Sequence, residues 1–188
     1  DPTQALRASD VVNGYTEERL ARLFRENGEA RFGGRIARAV VAHRPFEDTV
    51  ALAEVVRDAI PAATRRRGGH PAKRVFQAIR IEVNAELDVL GPALRTALDV
   101  LAPGGRLAVL TYHSGEDRLV KGAFVEAATG GCVCPPGLPC VCGATARHRL
   151  VFRGSRTPGA DEIARNRRAE SARLRVIERI PENPEGTA

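Results

Sequence analysis

The sequence predicts a mixed α/β fold, with a small all-helical domain followed by part of an open sheet that carries helices on it. Three observations point to this. Residues 16–60 hold three short amphipathic segments, each closed by glycine or proline. After Pro71 the grammar changes to a long helix, an APGG turn and the near-continuous apolar run RLAVLTY. That run ends in TYHSGED, which opens another helix.

Taken in order, Thr16 is a suitable N-cap, with Glu17 and Glu18 complementing the helix dipole. Leu20, Leu23 and Phe24 form one apolar face, and Gly28 ends the segment. A second helix carries Phe32, Ile36 and Val40 and stops before Pro45. A third opens near Thr49, buries Leu52, Val55, Val56 and Ile60, and stops at Pro61. A basic, glycine-containing connector spans 62–70. A long helix then starts with Pro71 in its first turn and keeps Val75, Phe76, Ile79, Val83, Leu87 and Leu90 in phase. Gly91 and Pro92 predict its end, and a shorter helix carries Leu94, Leu98 and Leu101. RLAVLTY is apolar enough to predict a buried, parallel strand. Residues 129–146 form a Gly/Pro/Cys loop. LVFRG and RVIERI read as strands joined by a short helical link at 160–171.

Composition narrows the class. No apolar run approaches the ~20 residues that span a bilayer, so no membrane partner is expected. The four cysteines sit in one loop rather than in a scattered disulfide framework, which makes a cytoplasmic protein the default. The net charge is +6, and all the basic residues except Lys73 and Lys121 are arginine. Arg65, Arg66 and Arg67 run together, with Lys73, Arg74 and Arg80 close behind. A second cluster includes Arg149, Arg153, Arg156, Arg165, Arg167, Arg168, Arg173 and Arg175. Such clusters are either the footprint of an anionic polymer or solvated helix faces.

The run HPAKRVFQAIRIEVNAEL, from His70 to Leu87, closely resembles a stretch of the bacterial small-subunit ribosomal RNA (cytosine-N4)-methyltransferases, the RsmH/MraW family. Other blocks resemble the same family in the same order. They are the opening DPTQALRASDVVNGYTEERLARLFRENGEARFGGRIARAV, then GGRLAVLTYHSGEDR, CVCPPGLPCVCG and EIARNRRAESARLRVIERI. Gly115, Arg167 and Glu170 depart from the family's usual leucine, proline and basic residue. The resemblance implies an incomplete class I (Rossmann-like) methyltransferase sheet plus a small all-helical inserted domain. It implies transfer of a methyl group from S-adenosylmethionine to N4 of a decoding-centre cytidine, with small-subunit (16S) ribosomal RNA as partner. The family's glycine-rich turn, ribose-binding acid and adenine-side residues would lie upstream of Asp1. The chain is therefore expected to be the C-terminal portion of the enzyme, with no cofactor-binding residue assigned in it and no appreciable activity alone. Residues 1–68 are expected to form the inserted helical domain and connector, contacting RNA. Residues 69–180 would be the C-terminal part of the methyltransferase domain, and 181–188 a disordered tail. The oligomeric state is left open.

The chemistry sets the demands on a site. A cytosine amine is a poor nucleophile because its lone pair is delocalised into the ring, so it must be held in line with the methyl carbon. The cationic product loses its proton readily, which makes a strong general base optional. The candidate catalytic residues are His113, Ser114 and Asn84. His113 stands where α/β folds place ligands, outside a strand's carboxyl end. It either contacts the cytosine, relays a proton, or bonds the backbone. Ser114 begins an S-x-x-D pattern with Asp117 and is expected to cap the next helix. Arg74, Gln77, Arg80 and Asn84 share one helix face, as a site wall or as polar ties to a neighbouring turn. His70 either caps its helix or touches substrate. The candidate phosphate contacts are Arg65, Arg66, Arg67, Arg74, Arg80, Arg168, Arg173 and Arg175. Cys132, Cys134, Cys140 and Cys142 make C-x-C-x5-C-x-C, either four zinc ligands or free or oxidised thiols. The alternative to an enzyme is a non-catalytic, basic RNA-binding module with a zinc-stabilised loop.

Overall fold

The computed structural model of the protein describes residues 5–65, 72–135 and 139–181. Arg66, Arg67, His70, Pro71 and the Arg65 side chain lie outside the described residues, as does nearly all of the expected tail. The chain divides into two compact units, Asp1–Glu86 and Leu87–Ala188.

The first unit is helical. Its elements are α1 (Ala8–Gly14), α2 (Glu17–Glu26), α3 (Gly33–Ala42), α4 (Thr49–Ala59), the single turn α5 (Ala62–Arg65) and α6 (Ala72–Asn84). Local chemistry sets the starts of two of them. The Thr16 side chain accepts from the Arg19 N–H, and the Asp48 carboxylate accepts from the Val50 and Ala51 N–H groups. α1 has no pattern that predicts it from sequence. The apolar faces of these helices meet in one core that includes Val11, Leu20, Phe24, Ile36, Val40, Val56 and Val75. α6 belongs to this core through Ala72, Val75, Ala78 and Ile79. The packing therefore divides the chain after Glu86, whereas the change of pattern in the sequence places the division near residue 68.

The second unit runs α7 (Glu86–Asp99), β1 (Arg106–Thr111), α8 (Ser114–Thr129), β2 (His148–Leu150), α9 (Ala160–Arg165), a 3-10 turn (Arg167–Ser171) and β3 (Arg173–Arg179). The expected break at Gly91–Pro92 is not there. α7 runs through Pro92, and the interruption falls at Ala85, whose backbone is left-handed with φ 49°. Pro92 removes one helical N–H, while the uninterrupted helix keeps Leu90, Leu94 and Leu98 on one buried stripe.

The sheet has the order β1-β3-β2, and β3 runs antiparallel to both neighbours. β1 and β2 thus point the same way, joined through α8. The expectation of a buried, parallel β1 is corrected: its described partner is antiparallel β3, and its residues alternate in exposure. Leu107 and Val109 pack with Ile177, Val120 and Phe124 in the core, whereas Leu110 on the opposite face is half exposed. The register pairs Leu107 with Ile177 and Val109 with Arg175. β2 is displaced from the predicted LVFRG towards His148: the Val151 N–H still bonds the Val176 carbonyl, but the chain bends over 151–154, where Gly154 takes φ 75°, before Arg156 bridges Leu174.

Candidate active site and arginine surfaces

The carboxyl end of β1 leads directly into the start of α8. Thr111 is buried, and its hydroxyl donates to the Arg173 carbonyl at 3.3 Å. His113 then adopts an extended backbone and caps α8. Its Nδ1 accepts the N–H groups of Gly115 at 3.2 Å and Glu116 at 3.3 Å. The Glu116 carboxylate reaches back and accepts from the Tyr112 and His113 N–H groups at 2.8 and 3.2 Å. This is a reciprocal capping box with imidazole in the place of a hydroxyl. Ser114 is an exposed first residue of α8, so the expected S-x-x-D box is corrected: the cap sits one residue earlier, in the pattern H-x-x-E.

Asp117, the residue expected to complete the serine box, is drawn to β3 instead. Arg175 grips it with two bonds, Nε to Oδ1 at 2.8 Å and Nη2 to Oδ2 at 2.9 Å, and donates from Nη1 to the Gly154 carbonyl. The two side chains are only 11% and 18% exposed. The guanidinium holds the Asp117 carboxyl below the usual carboxylate range. Arg175 is therefore turned inward as a structural partner and is not available to a phosphate.

The cap fixes the chemistry of His113. With Nδ1 occupied as an acceptor, the neutral ring carries its proton on Nε2. That Nε2 is buried without a hydrogen-bond partner. Glu116 Oε1 lies 3.3 Å away without forming a hydrogen bond to it. The side chain is 10% exposed. The turn thus offers one shielded N–H donor and no free imidazole lone pair. A groove of about 560 Å3 between α7 and α8, lined by Leu94, Leu98, Arg118 and Ala123, does not include His113 or Glu116 and is a separate feature.

In the helical unit, Arg80 and Asn84 both meet Glu86 just past the end of α6. Arg80 Nε is 2.9 Å and Asn84 Nδ2 is 3.1 Å from Glu86 Oε1. Both side chains are exposed, and they tie α6 to the following turn. Arg74 is exposed and approaches buried Glu29 at 3.5 Å. A cluster absent from the sequence reading joins Arg19, Tyr15 and Glu82: the Tyr15 hydroxyl donates to Glu82 at 2.8 Å, and the Arg19 guanidinium lies 3.5 Å over the Tyr15 ring. Burial, then the bond to Glu82, pushes the Tyr15 hydroxyl upward in pKa.

The second arginine cluster divides by environment. Arg149 and Arg106 both bond Glu178 across the sheet, and Arg106 Nε lies 2.6 Å from Oε2. The bonds from Arg106 and then Arg149 hold the Glu178 carboxyl below its ordinary range. Arg168 and Arg173 are exposed; Arg173 makes a long 3.4 Å contact with Ser155 and its charge also acts on Asp117.

The four cysteines converge. Cys140 Sγ lies 3.5 Å from Cys132 and Cys142 and 4.0 Å from Cys134, and Cys142 lies 3.6 Å from Cys132. No disulfide joins them. Backbone N–H groups of Val133 and Ala144 draw the Cys142 thiol down to about 6. The Cys134 N–H pulls Cys132 the same way, but the neighbouring Cys140 and Cys142 thiols outweigh it and leave Cys132 pushed up to about 12.

A model of the MraW methylase family matches residues 1–180 of the sequence. The chain belongs to that family. Among curated relatives it is 52% identical over 194 residues to a protein of Frankia casuarinae, 48% over 184 residues to one of Heliobacterium mobile and 51% over 186 residues to one of Thermobifida fusca. Each of the three is named ribosomal RNA small subunit methyltransferase H. These matches cover 100%, 96% and 97% of this MraW-family chain, but only 59%, 59% and 56% of the relatives. The chain thus spans somewhat more than half of their length.

Proposed function

We propose that this chain is part of an S-adenosylmethionine-dependent enzyme that methylates N4 of a cytidine in the decoding centre of small-subunit ribosomal RNA. Family membership supports the reaction class, and the buried, partnerless N–H of His113 at the end of β1 supports the place. In this reading β1, α8 and β2 belong to a class I sheet, and the helical unit helps to recognise RNA.

S-adenosylmethionine supplies an electrophilic methyl group. The described residues do not by themselves fit that cofactor. No glycine-rich turn follows β1, and the two acids beside its carboxyl end, Glu116 and Asp117, are committed to the cap and to Arg175. Zinc, the other cofactor in this reading, folds a loop and has no part in the transfer.

What this chain contributes is orientation. An unpaired buried N–H costs about 1–3 kcal/mol, so the His113 donor is kept for a partner. On the Watson–Crick edge of cytosine, N3 and O2 accept hydrogen bonds, whereas the N4 amine donates. The His113 Nε2–H thus suits N3 or O2, and holding that edge aims the adjacent amine. The imidazole is not placed to take the amine's proton, because its one lone pair caps α8. Ser114 acts only through the backbone of the turn.

The test compares two variants of the full-length enzyme on small-subunit particles. His113→Asn keeps an oxygen that can cap α8 but lacks the ring donor. His113→Ala loses both, and a lost cap costs about 0.5–2 kcal/mol. Both should slow single-turnover methyl transfer about 10- to 100-fold, equivalent to about 1.4–2.8 kcal/mol, with RNA affinity unchanged. Only Ala should lower thermal stability clearly. A His113→Asn enzyme that transfers methyl groups at the wild-type rate defeats the proposal.

A further inference from the structure

We propose that Cys132, Cys134, Cys140 and Cys142 hold one zinc ion in a closed tetrathiolate site that folds the loop between α8 and β2. The inference stands on the geometry of the loop and does not depend on the methyltransferase reading.

The sulfur positions carry it. Four ligands at a Zn–S distance of about 2.3 Å define a tetrahedron with edges of about 3.8 Å. The Sγ–Sγ separations are 3.5, 3.5, 3.6 and 4.0 Å, and all four sulfurs lie within 4.8 Å of one another. C-x-C is a tighter bite than the usual C-x-x-C pair. Here the chain accommodates it by bringing Cys140 and Cys142 sulfurs to 3.5 Å, close to a tetrahedral edge. A backbone N–H also points at the cluster, from Val141 to Cys134 Sγ at 3.4 Å. Such bonds orient thiolate ligands and offset their charge.

Nothing else described holds the tip of this loop. The two residues inside the C-x-C pairs, Val133 and Val141, are 85% and 89% exposed. Neither valine adds apolar burial, so the described part of the loop gains from a staple. Its base is already pinned. Gly130 ends α8 with φ 63°, and a Cβ there would come within 2.5 Å of the Thr145 carbonyl oxygen, so the two stems touch backbone to backbone. The ion closes the other end. With four protein thiolates zinc has no open position, so the site is structural rather than catalytic. Binding releases the protons still held by the four thiols to solvent, and no redox step is involved.

The test is metal analysis of the full-length protein purified without chelator. Zinc should be present at one equivalent per chain, and a mercurial that titrates the cysteines should release it. The Cys132→Ser, Cys142→Ser double variant should lose the zinc and gain protease cleavage confined to 130–147. Should that variant fail to fold, cobalt provides a second readout: exchange into the wild-type protein should give the intense visible bands of tetrahedral cobalt thiolate. Stoichiometric iron in place of zinc, four freely alkylated thiols in metal-free folded protein, or disulfides found by mass spectrometry would each overturn the assignment.

Discussion

Replacing Arg175 by methionine should destabilise the second unit without weakening RNA binding. Methionine keeps much of the aliphatic stem and removes the fork. Asp117 would then lose two charge-assisted bonds while remaining mostly shielded. Exposed pairs contribute at most about 1 kcal/mol, and breaking a fully buried pair costs about 3–5 kcal/mol. This pair lies nearer the buried limit, so a loss of about 2–4 kcal/mol is expected. With a urea slope of about 1–1.5 kcal/mol per molar for a unit of this size, the midpoint should fall by about 1.3–4 M. The pH dependence gives an independent check. The folded-state pKa of Asp117 is depressed by Arg175. The pair's contribution is thus complete above the unfolded aspartate value, about 3.9, and disappears as pH falls through the folded value. Wild type should lose stability over that acid range, and Arg175→Met should lose less. A midpoint change under about 0.3 M, or an unaltered acid slope, would refute the role given to this ion pair.

Two further outcomes follow from the same surfaces. Charge removal at exposed Arg168 and Arg173 in the full-length enzyme should weaken RNA binding and flatten its salt dependence by about one phosphate each; Arg175→Met should leave the slope alone, and equal slopes in all variants would contradict the division. S-adenosylmethionine titrated calorimetrically into the 188-residue chain should give no appreciable heat, and tight stoichiometric binding would show that the cofactor site lies within it.

The sequence makes some of this structure legible because the deciding interactions are local. Thr16 caps its helix within three residues, and Pro45 and Pro61 follow helix ends. The apolar strand at 106–111 is equally visible. Where the outcome depends on distant chain, the pattern misleads. β1 looks parallel because it is apolar, yet its described neighbour is β3, more than sixty residues later. Gly91–Pro92 looks like a stop, yet the apolar stripe of α7 carries the helix through. Arg175 looks like one member of a basic cluster until its carboxylate partner on α8 is seen. The arginine bias alone does not separate Arg168 and Arg173 from Arg106 and Arg149, which are also exposed but are paired with buried Glu178.

The candidate active site shows how such distant pairing reaches the chemistry. Asp117 is tied to β3, which fixes the first turn of α8 against the sheet. Glu116, one residue earlier, is then free to reach back to the Tyr112 and His113 N–H groups. That leaves the forward half of the box to His113, whose Nδ1 is the acceptor within reach of the Gly115 and Glu116 N–H groups. Each bond narrows the choices of the next, and the last consequence is a tautomer. A serine at 113 would cap the helix as well but would have no second ring nitrogen beyond the cap. The imidazole satisfies the helix end with one nitrogen and presents a shielded donor with the other. A histidine at this turn therefore has a use that capping alone does not require.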